Sequence, residues 1–322
     1  MGLISAFMFS DASEIDLLHA KITIEESLVD TWIIVEGRYT FRGVEKPLVL
    51  RELIKGDERF DAFLGRIHVI EIEENFLSNF KYNRKFLIRK KIEIFLRKLF
   101  FSGHQNQMRV FVERKYFYAE NCSRNSAVTK ILEVAKSDHD WILVSDVDEI
   151  LNLQSQPIRD SIIKIMSAGD LFILLKRQKF AFDFDNLDPQ PRFTPLISIK
   201  LLKNQNASLS EFRSRSDGVC QIQYPYVTEY TFCFNMKGVI RKYEMFPHIS
   251  PSQKSLAEYL SVNAAPLYED SRQSEITWYN KVDINDYHVP NFILQNIEKL
   301  RTHNIPTDYE LNRRSKFPHL FA

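Results

Sequence analysis

An apolar run at residues 141–150, Trp-Ile-Leu-Val-Ser-Asp-Val-Asp-Glu-Ile, closes on two aspartates and a glutamate whose spacing points to cation or phosphate chemistry. Asp146 and Asp148 stand two residues apart, so an extended backbone would project them to one side while Val147 packs behind. Two carboxylates on one edge repel each other unless a cation lies between them. A hard divalent ion, Mn2+ or Mg2+, relieves that repulsion and keeps coordination positions that diphosphate oxygens can fill. The carboxyl end of a strand in an open α/β sheet is also where ligands bind. Other readings stand beside this one. The acids could mark a strand running out into a solvated loop or a cap on the next helix. They could also belong to an aspartyl-nucleophile phosphohydrolase, although that motif wants Thr or Val where this chain has Glu149.

Such a turn has to be carried by a sheet. Runs of β character at residues 3–9, 31–36, 66–71, 109–113, 141–145 and 171–176 supply strands. Ser13 is placed to cap a helix with an apolar stripe of Ile15, Leu18 and Ile22, widened by Leu17, Ile24 and Leu28. Val128, Ile131, Leu132 and Ala135 predict a helix over 123–136 leading into the acid strand. Another starts near Pro157 and turns Ile158, Ile162, Ile165 and Met166 inward. The alternation predicts the α/β class, a mostly parallel mixed sheet with helices on both faces. From about residue 180 the texture shifts to aromatics, turns and prolines, with helices expected at 252–260 and 290–302. The chain therefore divides into 1–180 and 181–322, continuous with one core because no repeat or low-complexity linker separates them.

Bulk properties exclude several classes. A chain of 322 residues with 44% hydrophobic content can bury a sizeable core, and a net charge of +1 gives no electrostatic footprint for nucleic acid. Cys122, Cys220 and Cys233 are odd in number and form no C-x-x-C pair, which argues against a disulfide framework or a zinc site and for a reducing cytoplasm. The apolar amino terminus lacks leading basic residues and is cut short by Asp11, so it reads as a first strand and not as a secretory signal. No run approaches the ~20 apolar residues of a membrane span. The sequons at Asn121 and Asn206 read as chance matches. Residues 81–101 interleave eight Lys and Arg with Phe, Leu and Ile, which fits either a helix resting on an anionic membrane or a core helix whose cations reach water.

Beyond the acids, further segments share a pattern. The words are Glu14-Ile-Asp-Leu-Leu, Leu28-Val-Asp-Thr-Trp-Ile-Ile-Val-Glu-Gly, Thr40-Phe-Arg-Gly with Lys46-Pro-Leu, and Glu120 with Arg124 and Asn125, followed by Ser145-Asp-Val-Asp-Glu-Ile, Lys242 to His248, and Pro290-Asn-Phe-Ile. Individually weak and jointly specific, they resemble glycosyltransferase family 17, which includes the β-1,4-mannosyl-glycoprotein N-acetylglucosaminyltransferases. The resemblance covers most of the chain. It implies a GT-A type fold, with a nucleotide-sugar-binding core over 1–180 and an acceptor-side portion over 181–322. It also implies inverting, metal-assisted transfer of GlcNAc or a related sugar from a UDP-sugar to a glycan; the near-neutral charge separately argues against a nucleic-acid partner.

On that resemblance Glu36 lies near the nucleoside, with an exposed strand end as the alternative. Arg124 reaches phosphate, or else makes a salt bridge to the acids. Asp148 carries the metal while Asp146 supports the metal or ribose, and Arg213 and Arg215 add positive charge, unless they are a solvated strand face. His248 is a further metal ligand or a packed core residue. The family's Trp-His pair is replaced here by Cys233-Phe-Asn-Met, which bears on metal dependence and on activity itself. For the catalytic base, Asp183 or Glu149 is the choice over Asp185, Asp217 and Glu229. The basic segment 81–101 would suit a lipid-linked acceptor and peripheral membrane contact. A non-catalytic sugar-nucleotide or glycan binder, and a metal-dependent phospho- or nucleotidyltransferase, remain open alternatives.

Overall fold

The computed structural model describes residues 1–80, 105–169, 171–181, 186–205, 208–231, 280–281 and 289–302. Within them the chain forms strands β1 (Leu3–Phe9), β2 (Val29–Gly37), β3 (Ile67–Ile72), β4 (Trp141–Val144), β5 (Glu149–Leu151), β6 (Phe172–Ala181), β7 (Asn186–Ser198), β8 (Val219–Gln221), β9 (Val227–Thr231) and β10 (Asn280–Lys281). The helices used below are α1 (Ile15–Glu25), α2 (Leu50–Lys55), α3 (Gln105–Asn125), α4 (Ala127–Val134), α5 (Gln156–Ser167), α6 (Ile199–Gln205), α7 (Leu209–Ser214) and α8 (Asn291–Thr302).

Among the described residues one sheet runs in the order β3-β2-β1-β4-β7-β6-β9-β5, with β10 added beside β7 and β8 beside β6. Pairing is parallel from β3 through β4. It turns antiparallel at β4–β7, β6–β7 and β5–β9. This is the α/β architecture, a mostly parallel mixed sheet with helices on both faces, that the sequence leads one to expect. Strands from both sides of residue 180 join the one sheet.

The layers follow from period-two alternation in strands buried on both faces. Leu3, Phe7 and Phe9 of β1 pack with Leu18 and Ile22 of α1, Ile54 of α2 and Ile158, Ile162 and Met166 of α5. Ile4, Ala6 and Met8 face the other way, onto Ile131 of α4, Leu202 of α6 and Leu209 and Phe212 of α7. Removing such apolar surface from water is the main stabilising term.

Three local expectations are corrected. Residues 109–113 lie inside α3, where β propensity in five residues yields to a 21-residue helix. The first helix is capped by Asp11, whose side chain accepts from Ser13 N (3.0 Å), because a 3-10 turn at Ala12–Glu14 precedes α1. The helix expected over 123–136 is broken at Ser126, between α3 and α4. Asn125 bonds reciprocally with Ser210, its Nδ2 donating to Oγ (3.1 Å) and its Oδ1 accepting from Ser210 N (3.1 Å). That contact docks the end of α3 onto the start of α7.

Phe212 is fully buried and meets Phe172 with ring centroids 5.5 Å apart, so it anchors the short helix α7 to the sheet. Phe212→Ala is expected to cost about 3–5 kcal/mol by urea denaturation. A loss below about 1 kcal/mol would show that α7 is held by other contacts.

Candidate functional site

The acids after β4 form a tight turn and not an extended edge. Glu149 N donates to Asp146 O (3.0 Å), and the chain reverses to lay Glu149–Leu151 antiparallel to β9. Tyr230 N secures the turn by donating to Asp148 O (2.8 Å). Val147 is buried in the core, as its apolar side chain requires. The acids then differ sharply in exposure: the Asp146 side chain is 34% exposed, whereas Asp148 and Glu149 are buried.

Four elements bring cations to this turn. Arg124, in the last turn of α3, donates through Nη2 to Asp146 Oδ1 (2.9 Å) and Glu120 (3.2 Å), and through Nη1 to Ser145 O (2.9 Å). Arg213 of α7 donates to Asp146 Oδ2 (2.8 Å), to both oxygens of Glu149 (2.7 Å to Oε2) and to Val144 O (3.2 Å). Arg213 is thus a two-pronged clamp on Glu149, while Arg124 ties Asp146 and Glu120 together through one nitrogen. Glu149 stands directly opposite Glu229 in the β5–β9 register, a like-charge pairing that destabilises a sheet unless compensated. Arg177 of β6 compensates it by pairing with Glu149 and with Glu229 (3.1 Å), and Lys179, two residues on, adds a second bond to Glu229 (3.1 Å). Burial pulls Arg177 below the usual arginine range, partly offset by Glu229.

Below the turn, Lys21 of α1 is fully buried and donates to Glu25 (2.7 Å) and to the backbone oxygen of Glu149 (2.5 Å). Glu25 accepts in turn from Leu151 N (3.1 Å) and from the Trp32 indole (3.2 Å). Helix α1 thus grips both ends of β5. Burial holds Lys21 below the ordinary lysine range, with Glu25 and the two aspartates opposing that shift. Sequence reasoning missed Lys21, Glu25, Arg177 and Lys179. The available signals were a Lys–Glu pair at i,i+4 inside an apolar helix and two cations at i,i+2 on one strand.

A small pocket, open to solvent, lies at the carboxyl ends of β1 and β2. Phe9, Gly37, Tyr39, Phe41 and Lys46 line it, and so does Ser123, the neighbour of Arg124. Its outer wall is a turn in which Gly43 takes φ 81°, a left-handed conformation that favours glycine, while Thr40 Oγ1 accepts from Val44 N (3.1 Å). Glu36 is buried beneath this wall. Its carboxylate accepts from Val49 N and Leu50 N (3.0 Å each) at the start of α2, and Lys46 Nζ lies 3.5 Å away. Glu36 accordingly supports the pocket wall from below. Burial lowers the Lys46 pKa, and Glu36 partly restores it.

The structure brings together Arg124, Asp146, Asp148, Glu149 and Arg213, and adds Glu229 from the alternatives. Arg215 is not among them: it pairs with Asp217 (2.8 Å) and lies over the rings of Phe172 and Phe212, because its position just past α7 turns it away from Arg213. Asp183, Asp185, His248, the 81–101 segment, 233–236 and the helix expected at 252–260 lie outside the described residues. Among the described residues no group of three His, Cys, Asp or Glu side chains is placed to hold a metal ion. Asp146 presents both its oxygens to guanidiniums, so the acids do not fit an open divalent site in this arrangement. No helix among the described residues is long and apolar enough to cross a membrane.

No protein-family model matches the chain, and no curated protein matches it. Among solved structures it is similar to the galactosyltransferase LgtC in complex with donor and acceptor sugar analogs, at 12% identity and a TM-score of 0.27, covering 78% of this chain and 81% of that one. So loose a superposition carries no argument about function.

Breaking the Lys21–Glu25 pair leaves an uncompensated charge in the core. Lys21→Met is expected to cost about 3–5 kcal/mol, and Lys21→Met/Glu25→Gln to recover part of that by removing the stranded carboxylate. Strictly additive losses in urea denaturation would show that the two residues do not act as a pair.

Proposed function

We propose that this protein is a glycosyltransferase, related to glycosyltransferase family 17, that moves GlcNAc or a similar sugar from a UDP-sugar to a glycan acceptor with inversion. The observation that carries the reading is a convergence. The aromatic pocket with Lys46 at the ends of β1 and β2 takes in Ser123 of α3, and the next residue, Arg124, clamps the acids at the end of β4. Ligands of open α/β sheets bind where neighbouring strands lead their connections to opposite sides, here between β1 and β4. Aromatic walls suit a nucleoside and the cations suit a diphosphate.

Sugar transfer requires charge stabilisation on the departing diphosphate and a base for the acceptor hydroxyl. In our reading Arg213, the more exposed of the two clamps, supplies the first with Arg124 behind it, and Lys46 holds the nucleotide in place. Glu149 has its carboxylate engaged by Arg177 and Arg213, so we assign it to positioning those arginines. The base then falls to Asp183 on the acceptor side. A divalent ion, Mn2+ or Mg2+, would supply charge neutralisation on the diphosphate when bound. A cytoplasmic enzyme with a lipid-linked acceptor would give the basic 81–101 segment a use at the membrane surface.

The test is thermal stabilisation across a panel of nucleotide sugars, followed by product analysis with the stabilising donor. One donor should raise Tm and release nucleoside diphosphate on turnover, and Lys46→Met should weaken its binding by roughly tenfold. Because the Lys46 pKa is lowered, its charge disappears as pH rises before an ordinary lysine would lose its own, so donor affinity should fall early on the alkaline side. Lys46→Arg should remove that fall. Release of pyrophosphate would favour a nucleotidyltransferase, binding without turnover a non-catalytic relative, and no stabilisation by any donor would contradict the site.

A further inference from the structure

The position of one nitrogen decides what cation the acid turn holds at rest. Arg213 Nη2 donates to Asp146 Oδ2 (2.8 Å) and at the same time to Glu149 Oε1, so a single positive group bridges carboxylates from the two ends of the turn. Asp146 and Glu149 are the side chains that would hold a divalent ion there, and the guanidinium already spans them. The opposite oxygen of Asp146 is held by Arg124 (2.9 Å), and Glu149 is further paired with Arg177. Asp146 and Glu149, with Glu120 and Glu229 on the same arginines, already have their charge answered by three guanidiniums, so an incoming divalent ion would have to displace a seated cation. Arg213 is the one of the three with a way out. Its side chain is 19% exposed, against 4% for Arg124 and 10% for Arg177, and it ends a short helix at the rim of the site.

We infer that Arg213 is the resident counter-cation of the acid turn and competes with divalent cations for Asp146. The protein alone takes up little Mn2+. The guanidinium, and not a divalent ion, is what an arriving anion such as a diphosphate would meet at the turn, and that consequence for sugar transfer rests on the reading above. The competition itself does not depend on that reading, because it concerns the protein without nucleotide.

The experiment titrates Mn2+ into nucleotide-free protein and follows loss of the free-ion signal by electron paramagnetic resonance. Wild type should bind weakly, and Arg213→Ala should bind roughly tenfold tighter or better. Arg213→Lys, which keeps the charge, should stay weak, and Arg213→Ala/Asp146→Asn should lose the gain. If Arg213→Ala does not fold by circular dichroism, Arg213→Gln replaces it, keeping hydrogen bonding without charge. Tight Mn2+ binding by wild type that disappears in Asp146→Asn would overturn the inference, as would a neutral Arg213 variant that binds no better than wild type. Since no donor or acceptor enters the assay, failure here is distinct from failure of the sugar-transfer proposal.

Discussion

Carboxylates withdrawn from water in the turn after β4 need cations, and the arrangement of the whole chain around residues 146–149 answers that need. An unpaired buried charge is far more costly than any single apolar contact is favourable. Here Lys21 comes from the first helix, Arg124 from the long helix before the acid strand, Arg177 from the sixth strand and Arg213 from a six-residue helix after the seventh. These elements lie far apart in sequence, so satisfying one turn fixes the relative placement of both helical layers and of the mixed half of the sheet. The reciprocal Asn125–Ser210 bonds serve the same end by holding together the two helices that carry the clamps.

The same constraint separates the roles of the acids. Glu36 and Glu25 are buried carboxylates satisfied mainly by backbone amides and a lysine, and both shape structure: one the pocket wall, the other the grip of α1 on β5. Asp146 is the acid that combines strong pairing with appreciable exposure, which is what a group facing an exchanging ligand requires. A site in which arginines already stand against the acids can respond to a diphosphate by re-pairing, with little movement of the backbone.

Much of this could be read from residue order. The strands at Leu3–Phe9 and Trp141–Val144 are continuous apolar runs, and only a doubly covered sheet accommodates such runs. Pro157 marks the start of its helix because a missing N–H is harmless there. Arg124 was legible as a partner of phosphate or of the acids, and it makes the second of these bonds. Other features were not legible. Whether residues 146–149 run on as a strand or turn depends on β9, some eighty residues later. Arg213 and Arg215 look alike in sequence, yet one reaches Asp146 and the other Asp217, because two positions at the end of a short helix project to different sides. Lys21 resembles any surface lysine until the burial of its helix face is known.

Hydrogen exchange read by mass spectrometry, with and without a saturating nucleoside diphosphate sugar, shows whether the pocket and the acid turn act as one site. Protection is predicted at 8–10, 37–50, 123–126 and 145–151 together, because pocket wall, clamp and acid turn form one ligand site. Saturable binding with protection confined to other segments would contradict it.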